Sequence, residues 1–598
     1  MKKHPLFTFL TLHGLLWSVA SLAFFKINSF FTDPLGLLFT AVFIIGHMFL
    51  FSWFVGVVSG PFYFVGPRTV RGVAVGLSSL LSILLAIDIV VFAQYRFHIG
   101  LAMLELFFGP AGKEIFVFPL SMWILTGAGI CAVVALEIGL WMLAQRWAFA
   151  KKGVVTVLLI WLGCFVLYNG LYAWGKFKLV PSIMAQRKVL PLAQPLSANR
   201  RLEAWGFQAP KNPYSVPKNG SLNYPLAELS CRTSSAPKNI LIFLIDSWRA
   251  DTFNAEIMPL LSAWAQKPGM HVFNNHLSGG NGTDAGVFSI FYSLTFNYWD
   301  DITALQRPPL LLARALEQGY EPAIFASSKL TSPPFYRNVF ASITNLRIGS
   351  EGATSWERDE DAVAGFEQFL AHRKKDVPFF GFIFLDAPHG YSYPEEDKIF
   401  TPAKAPNYFL LSNNTDPTPI RNQYNNAVHF SDRMVDRTLQ ALQKQGLLKD
   451  TLVIITGDHG QEINDSHHNF WGHNGNLTDY QTKVPLLLYQ DNSLDFPAQV
   501  DYRTTHYDIV PTLLQEIFRC TNPAADYAMG YSLFDTTPRE FSLFAGHTEK
   551  AIRVGDDILV LDNFGNAVQY NHKLEPVTAP LPAALIKEGL QSFHRFYK

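Results

Sequence analysis

Ile242-Phe243-Leu244-Ile245-Asp246 is an apolar run that ends on a carboxylate, and Ile454-Ile455-Thr456-Gly457-Asp458-His459-Gly460 is another that ends on an Asp-His pair. If both runs are buried strands, their ends offer two oxygens and a nitrogen. That set suits a divalent ion such as zinc, manganese or magnesium. Gly457 and Gly460 permit the tight backbone path such a pair needs. A third stretch, Gly279-Gly280-Asn281-Gly282-Thr283-Asp284, is a Gly-rich loop leading into an apolar helix. A Thr at that helix N-terminus meets backbone N–H groups and a dipole that favour an anion. As a metal ligand, Thr283 would have a lowered hydroxyl pKa and could act as a nucleophile through a covalent intermediate. The plainer alternative is that Thr283 only caps the helix; Asp246, Asp458 and His459 beside it favour the nucleophile. His389, in Ala387-Pro388-His389-Gly390, and His473, after Trp471-Gly472, are candidates to hold an ester oxygen or complete a second metal site. His467 and His468 read as exposed loop residues.

The elements that must position these groups are legible from residue 238 onward. Asn239–Asp246, Pro322–Ser327, Phe379–Leu385, Thr451–Thr456 and Val484–Tyr489 read as strands, and 283–294, 358–374, 421–446 and 505–518 as helices. Such alternation predicts an α/β sandwich around a mostly parallel sheet, with ligands gathered at the C-terminal strand ends.

The first part of the chain is of a different kind. With 49% apolar and only 16% charged residues, this chain of 598 residues is too greasy to lie wholly in water. Its formal charge balances to zero, so no basic excess steers it onto nucleic acid. Five apolar runs, near 6–26, 37–60, 72–95, 118–144 and 153–175, are long enough to cross a membrane. The first comes after Lys2 and Lys3 and carries Ala20-Ser21-Leu22-Ala23 near its end; it also reads as a cleavable signal peptide, with the same orientation. Lys2, Lys3, Arg68, Arg71, Arg146, Lys151 and Lys152 fall on one side, against Lys26, Arg96 and Lys113 on the other. The positive-inside rule therefore puts the N-terminus in the cytoplasm, and five crossings export the chain beyond residue 176. His47, Asp88 and Glu137 lie within spans, where each needs a partner or a water-filled pocket; protonated or paired groups locking the bundle are the simplest reading.

Three regions result: a transmembrane domain over 1–176, a linker over 177–237 and a globular domain over 238–598. The linker is rich in Pro, Asn, Ser and Lys, and its start interleaves Lys176, Lys178, Arg187, Lys188, Arg200 and Arg201 with apolar residues such as Ile183 and Leu190. Cations beside apolar groups suit an interface crowded with lipid phosphates, although a solvated juxtamembrane cluster has the same composition. Cys131 and Cys164 sit in apolar stretches, whereas Cys231 and Cys520 bracket nearly all of the polar domain. Outside the cytoplasm the latter two could form a disulfide; their spacing alone does not bring them together.

Asp246, Thr283, Asp458-His459 and Trp471-Gly472-His473 resemble the alkaline-phosphatase superfamily, to which sulfatases belong. The nearest branch is similar to the membrane-bound lipid phosphotransferases, lipoteichoic acid synthases and phosphoethanolamine transferases, whose nucleophile is Thr. Over almost its full length the chain resembles, more narrowly, the YejM (PbgA) inner-membrane proteins of Gram-negative bacteria. Leu85-Ala86-Ile87-Asp88 with Arg96-Phe97-His98, the stretch from Gln186-Arg187 to Asn199-Arg200-Arg201, Tyr224-Pro225-Leu226-Ala227-Glu228-Leu229 and Asn281-Gly282-Thr283-Asp284 carry this likeness. The resemblance implies a five-helix transmembrane bundle ahead of a periplasmic α/β sandwich of alkaline phosphatase/sulfatase type. It also implies lipid A bound at the linker by Arg200 and Arg201, with Arg187 in the same segment, and cardiolipin as a further ligand. Restraint of lipopolysaccharide synthesis would run through LapB and FtsH control of LpxC. Well-known members have an eroded Asp-His pair, whereas this sequence keeps Asp458-His459 and His473. Two functions are therefore expected: a lipid-A-sensing regulator of outer-membrane lipid homeostasis, or a metal-dependent phosphatase or lipid-headgroup phosphotransferase.

Overall fold

The computed structural model describes residues 3–26, 34–95, 98–100, 120–178, 180–208, 221–232, 237–408, 410–491, 496–547, 549–562 and 567–598. Among the described residues, five helices are long and apolar enough to cross a membrane. They are α1 (Pro5–Ala20), α2 (Pro34–Ser59), α3 (Pro67–Tyr95), α4 (Leu120–Arg146) and α5 (Lys151–Lys178), and they coincide with the five apolar runs. The costly polar groups inside them have partners. His98 Nδ1 and the Ile99 N–H each lie 2.7 Å from the Asp88 carboxylate. Ser82 donates to Glu137 at 2.7 Å, and His13, which the sequence reading passed over, faces Glu137 at 3.5 Å.

Residues 180–208 pack with this bundle. Ile183, Val189 and Leu190 are buried against Phe39, Phe43, Tyr168 and Tyr172. The Gln186 amide, fully buried, donates to the Gly36 carbonyl at 3.0 Å and accepts from Thr40 at 2.7 Å. His47 donates to the Pro191 carbonyl at 2.9 Å, and the Leu196 N–H donates to Asn169 at 2.9 Å. Residues 221–232 instead pack with the globular domain, where Tyr224 is buried and Cys231 is disulfide-bonded to Cys520. The Pro- and Asn-rich composition that reads as a linker thus conceals short apolar insertions that dock on each body.

The globular domain is built on a seven-stranded mixed sheet. Its parts in chain order are β1 (Asn239–Ile245), β2 (Met270–Phe273), α6 (Thr283–Tyr292), β3 (Glu321–Ala326), α7 (Ser355–His372), β4 (Phe379–Leu385), α8 (Thr418–Lys444), β5 (Thr451–Gly457), β6 (Leu486–Tyr489), β7 (Gln499–Val500) and α9 (Ile509–Glu516). The strands run in the order β7-β2-β6-β5-β1-β4-β3. Four neighbouring pairs are parallel, and β6 is antiparallel to both β2 and β5. Alternation along β1 divides the core: Ile240, Ile242 and Leu244 pack with α6 and α9, whereas Leu241, Phe243 and Ile245 pack with α7 and α8. This is the expected α/β sandwich.

Boundaries moved where caps act. Helix α7 starts at Ser355, ahead of the expected 358, because Thr354 and Glu357 form a capping box. Helix α9 starts at Ile509, since 506–508 form a 3₁₀ turn capped by Thr505 and Asp508. A second, four-stranded antiparallel sheet was not expected: β8 (Ser542–Ala545), β9 (Glu549–Val554), β10 (Asp557–Asp562) and β11 (Ala567–Asn571). Its strands are short, and the tight turn after Val554 relies on Gly555 at φ +59°.

Candidate metal and phosphoester site

Strand register assembles the site. Ile245 of β1 is paired with Leu385 of β4 on one side and Gly457 of β5 on the other. The next residues, Asp246, Asp386 and Asp458, therefore leave three adjacent strands at one level. Helix α6 brings Thr283 to the same place. It approaches the sheet so closely that a Cβ on Gly286 would lie 2.2 Å from the Asp458 carbonyl oxygen, so only glycine fits there. Gly282 occupies the cap position and Thr283 is the first helical residue. This overturns the capping alternative: the Thr283 hydroxyl lies 3.3 Å from His459 Nε2 and 3.4 Å from Asp246 Oδ2.

The arrangement fits a cation. Asp458 Oδ1 accepts the N–H groups of Ser247 and His459 at 2.9 and 2.7 Å, whereas its buried Oδ2 has no hydrogen-bond donor among the described residues. His459 donates Nδ1–H to the Gly460 carbonyl at 2.8 Å, which leaves an Nε2 lone pair 3.6 Å from Asp458 Oδ2 and 3.7 Å from Asp246 Oδ1. Burial holds the His459 imidazole below its ordinary pKa, so it stays neutral. Burial raises Asp458 to about 7, and burial together with the Asp458 charge raises Asp246 to about 7. A divalent ion between these lone pairs would offset the cost of ionising both carboxylates.

Asp246 also belongs to a second ligand group, with Asp386 and His389. Asp386 is the site residue that sequence reasoning missed. Its Oδ2 is held by Ser355 at 2.9 Å and Arg358 at 3.1 Å, which leaves Oδ1 facing His389 Nδ1 at 3.3 Å. Asp359 clips the turn by accepting the N–H groups of Asp386 and Ala387 at 2.8 and 2.9 Å. Burial would lower the His389 pKa, but Asp246, Asp386 and Asp458 outweigh it and raise it to about 10. His473 completes the ring of imidazoles, its centroid 4.4 Å from that of His459 and 5.3 Å from that of His389. Gln461 orients it through a 3.1 Å contact to Nδ1. His467 and His468 are exposed, as expected for loop residues.

All six predicted catalytic and metal residues thus meet: Asp246, Thr283, His389, Asp458, His459 and His473. The predicted lipid contacts are elsewhere. Arg187 donates to Gln194 at 2.8 Å, and Arg201 is exposed on the short helix Asn199–Ala204. The Arg200 side chain lies outside the described residues.

Comparison with known proteins places both halves. The family described as Sulfatase matches residues 238–516, and a domain of unknown function (DUF3413) matches residues 5–231. The inner membrane protein YejM of Salmonella typhimurium is 25% identical over 557 residues, 90% of this chain and 86% of its own length. An uncharacterized protein of Haemophilus influenzae is 26% identical over 495 residues, 78% of this chain and 74% of its own. The fold is also similar to that of the integral membrane lipooligosaccharide phosphoethanolamine transferase EptA from Neisseria meningitidis, with a TM-score of 0.58, 17% identity, and coverage of 88% of this chain and 97% of that one. With its matches running from the first span to the sulfatase-type domain, the chain belongs to the YejM family of inner-membrane proteins, multi-pass at its N-terminus and periplasmic in its C-terminal domain.

Proposed function

We propose that the periplasmic domain is a metal-dependent phosphoester hydrolase or phosphotransferase that acts on membrane-lipid headgroups. The observation that carries this reading is the Thr283 hydroxyl at a helix N-terminus, 3.3 Å from His459 Nε2 and 3.4 Å from Asp246. Asp246, Asp458, His459 and Thr283 would hold the ion; the mixed oxygen and nitrogen donors suit zinc or manganese, with magnesium a weaker match. When bound, such an ion lowers the hydroxyl pKa and screens an incoming phosphate. Thr283 Oγ1, its proton passed to water, attacks phosphorus; the P–O bond to the headgroup's alcohol breaks, the departing alkoxide takes a proton from water, and the phosphoryl group stays on Thr283 until water or an acceptor hydroxyl takes it. His389 and His473 stand where they can meet the phosphate oxygens. EptA, whose fold is similar, is a phosphoethanolamine transferase by name, which favours lipid phosphoesters as the substrate class. The test is turnover of bis(p-nitrophenyl) phosphate by zinc- or manganese-loaded protein: Thr283→Ala should abolish it, and equal rates in the two proteins would refute the nucleophile.

A second reading is favoured by the docking of residues 180–208 on the bundle. Lipid A or cardiolipin engaged by Arg187, Arg200 and Arg201 would bear on α2 and α5 through Gln186, His47 and Asn169. The bundle could then pass lipid status to a LapB-type membrane regulator and so set outer-membrane lipid homeostasis. Complementation separates the two: a Thr283→Ala chain that restores normal lipopolysaccharide control supports regulation, and one that fails while retaining its metal supports catalysis.

A further inference from the structure

Next to Thr283 stands a pair that neither ligand group includes. Asp284, in the first turn of α6, directs Oδ1 to the Ala285 N–H at 2.8 Å and pairs through Oδ2 with His547 Nε2. His547 lies in the turn between β8 and β9, so the small sheet delivers it. That turn is pressed on the nucleophile loop: the Ala545 N–H donates to the Gly279 carbonyl at 3.1 Å, and a Cβ on Gly280 would lie 2.7 Å from the Ala545 carbonyl oxygen. The ring of Phe296 meets the His547 imidazole edge-on at 4.8 Å between centroids. Asp284 and Phe296 thus hold an imidazole that is still two-thirds exposed.

The placement has an electrostatic consequence. Asp284 lies close enough to His459 for its charge to be felt there, and an unpaired carboxylate at that point would repel a phosphoester. His547 cancels that charge. Burial would lower the His547 pKa, but Asp284 and Asp300, the carboxylates that face it, outweigh burial and raise it. An exposed imidazole beside the nucleophile loop, biased toward its cationic form by those carboxylates, has N–H donor capacity to offer an anion.

We propose that His547 is a substrate-recognition residue of the phosphoester site, contacting a non-bridging phosphoryl oxygen from the turn between β8 and β9. This rests on the phosphoester reading above. It also gives the small sheet a role, as the carrier of a recognition group rather than a mere cover.

The test uses full-length, manganese-loaded protein in detergent carrying Thr283→Ala, so that nothing turns over, with calorimetric titration of inorganic phosphate and of dihexanoyl phosphatidylethanolamine. Adding His547→Ala should weaken binding about tenfold, the scale of one charge-assisted hydrogen bond. His547→Arg should return affinity to within about threefold, and His547→Gln should stay weak, since charge is what is being tested. Weakening toward both probes assigns the contact to the phosphoryl group itself; weakening toward the lipid alone assigns it to the headgroup phosphate in its ester. Unchanged affinity for both in His547→Ala, or full affinity in His547→Gln, overturns the proposal. Failure of the metal-loaded parent to bind either probe overturns the phosphoester reading instead.

Discussion

Asp251 and Asp465 lie in the same domain as Asp246 and Asp458, yet the two pairs are treated in opposite ways. Arg249, only 3% exposed, reaches Asp251 with two nitrogens at 2.8 and 2.6 Å and Asp465 with two at 2.7 and 3.1 Å, and Arg421 adds a further contact to Asp465. Burial alone would raise Asp465, but Arg249 and Arg421 outweigh it and hold the carboxyl down at about 2. Asp246 and Asp458 have no arginine partner among the described residues, and burial leaves both raised to about 7. One cluster brings its own cations, whereas the other is complete only with a cation from outside. Their proximity in sequence is functional: Arg249 lies three residues after Asp246, and Asp465 lies between His459 and His473. The paired cluster therefore anchors the loops on which the unpaired one is mounted.

Four substitutions or conditions should separate the clusters. The largest effect is expected from Thr283→Ala, which removes the nucleophile and one oxygen ligand; with the metal supplied to saturation of the remaining Asp246, Asp458 and His459, turnover of a chromogenic phosphodiester should fall at least about a thousandfold. Next, Asp458→Ala or His459→Ala should weaken zinc or manganese binding by about a hundredfold, measured by competition with a chelator. Arg249→Ala should do something different. It strands Asp465 beside Arg421 alone and should destabilise the domain by about 3–5 kcal/mol in chemical denaturation. Metal binding by the fraction still folded should persist; loss of metal without loss of stability would erase the distinction between the clusters.

The pH response should differ in sign. Asp246 and Asp458 have folded pKa values near 7, above their ordinary value of 3.8, so the metal-free fold binds more protons than the unfolded chain between those limits. Their contribution is present below pH 4 and is lost as pH rises through 7. Asp465 is depressed to about 2, so its contribution is present above pH 4 and lost as pH falls toward 2. Metal-free protein should therefore melt higher at pH 5 than at pH 7.5, and added metal should raise Tm more at pH 7.5. An equal rise at both pH values would count against Asp246 and Asp458 as ligands.

How much of the fold and the site is legible in the sequence depends on the range of each signal. The runs ending at Asp246 and Asp458 announce themselves because buried strands of β-branched and apolar residues stop abruptly on a carboxylate. Asp386 ends its strand in the same way, but Ala387 and Pro388 come next, and its place beside Asp246 depends on the pairing of Ile245 with Leu385 across 140 residues. His547 was invisible for a related reason. Its strands are short and the contact that gives it meaning joins it to Asp284 in a distant loop. The alternation in Ala551-Ile552-Arg553-Val554-Gly555 and Ile558-Leu559-Val560-Leu561 was the signal that could have revealed the sheet carrying it. The docked segment 180–193 was hidden by composition, since scattered apolar residues among Pro, Gln and Lys show no helical or strand period.

The smallest effect is expected where cations face outward instead of inward. Arg187 and Arg201 belong to the segment packed on the bundle, where Arg187 reaches the Gln194 amide at the surface and Arg201 is exposed, in contrast to the buried Arg249. Replacing Arg201 by Ala, alone or together with Arg200, should then cost little stability, because an exposed cation such as Arg201 contributes little to folding. Their value would appear only when lipid phosphates are present, at the scale of one or two charge-assisted contacts, a loss of about tenfold to a hundredfold in lipid A affinity measured with nanodiscs at fixed ionic strength. Raising the salt should narrow the difference between variant and parent, since contacts between cations and lipid phosphates are screened. Metal content should stay at the parental level, because no ligand to the ion lies in the segment. Wild-type lipid A affinity in the double variant would instead leave Gln186, His47 and Asn169 as a purely structural dock, and would remove the lipid-sensing reading while leaving the phosphoester site untouched.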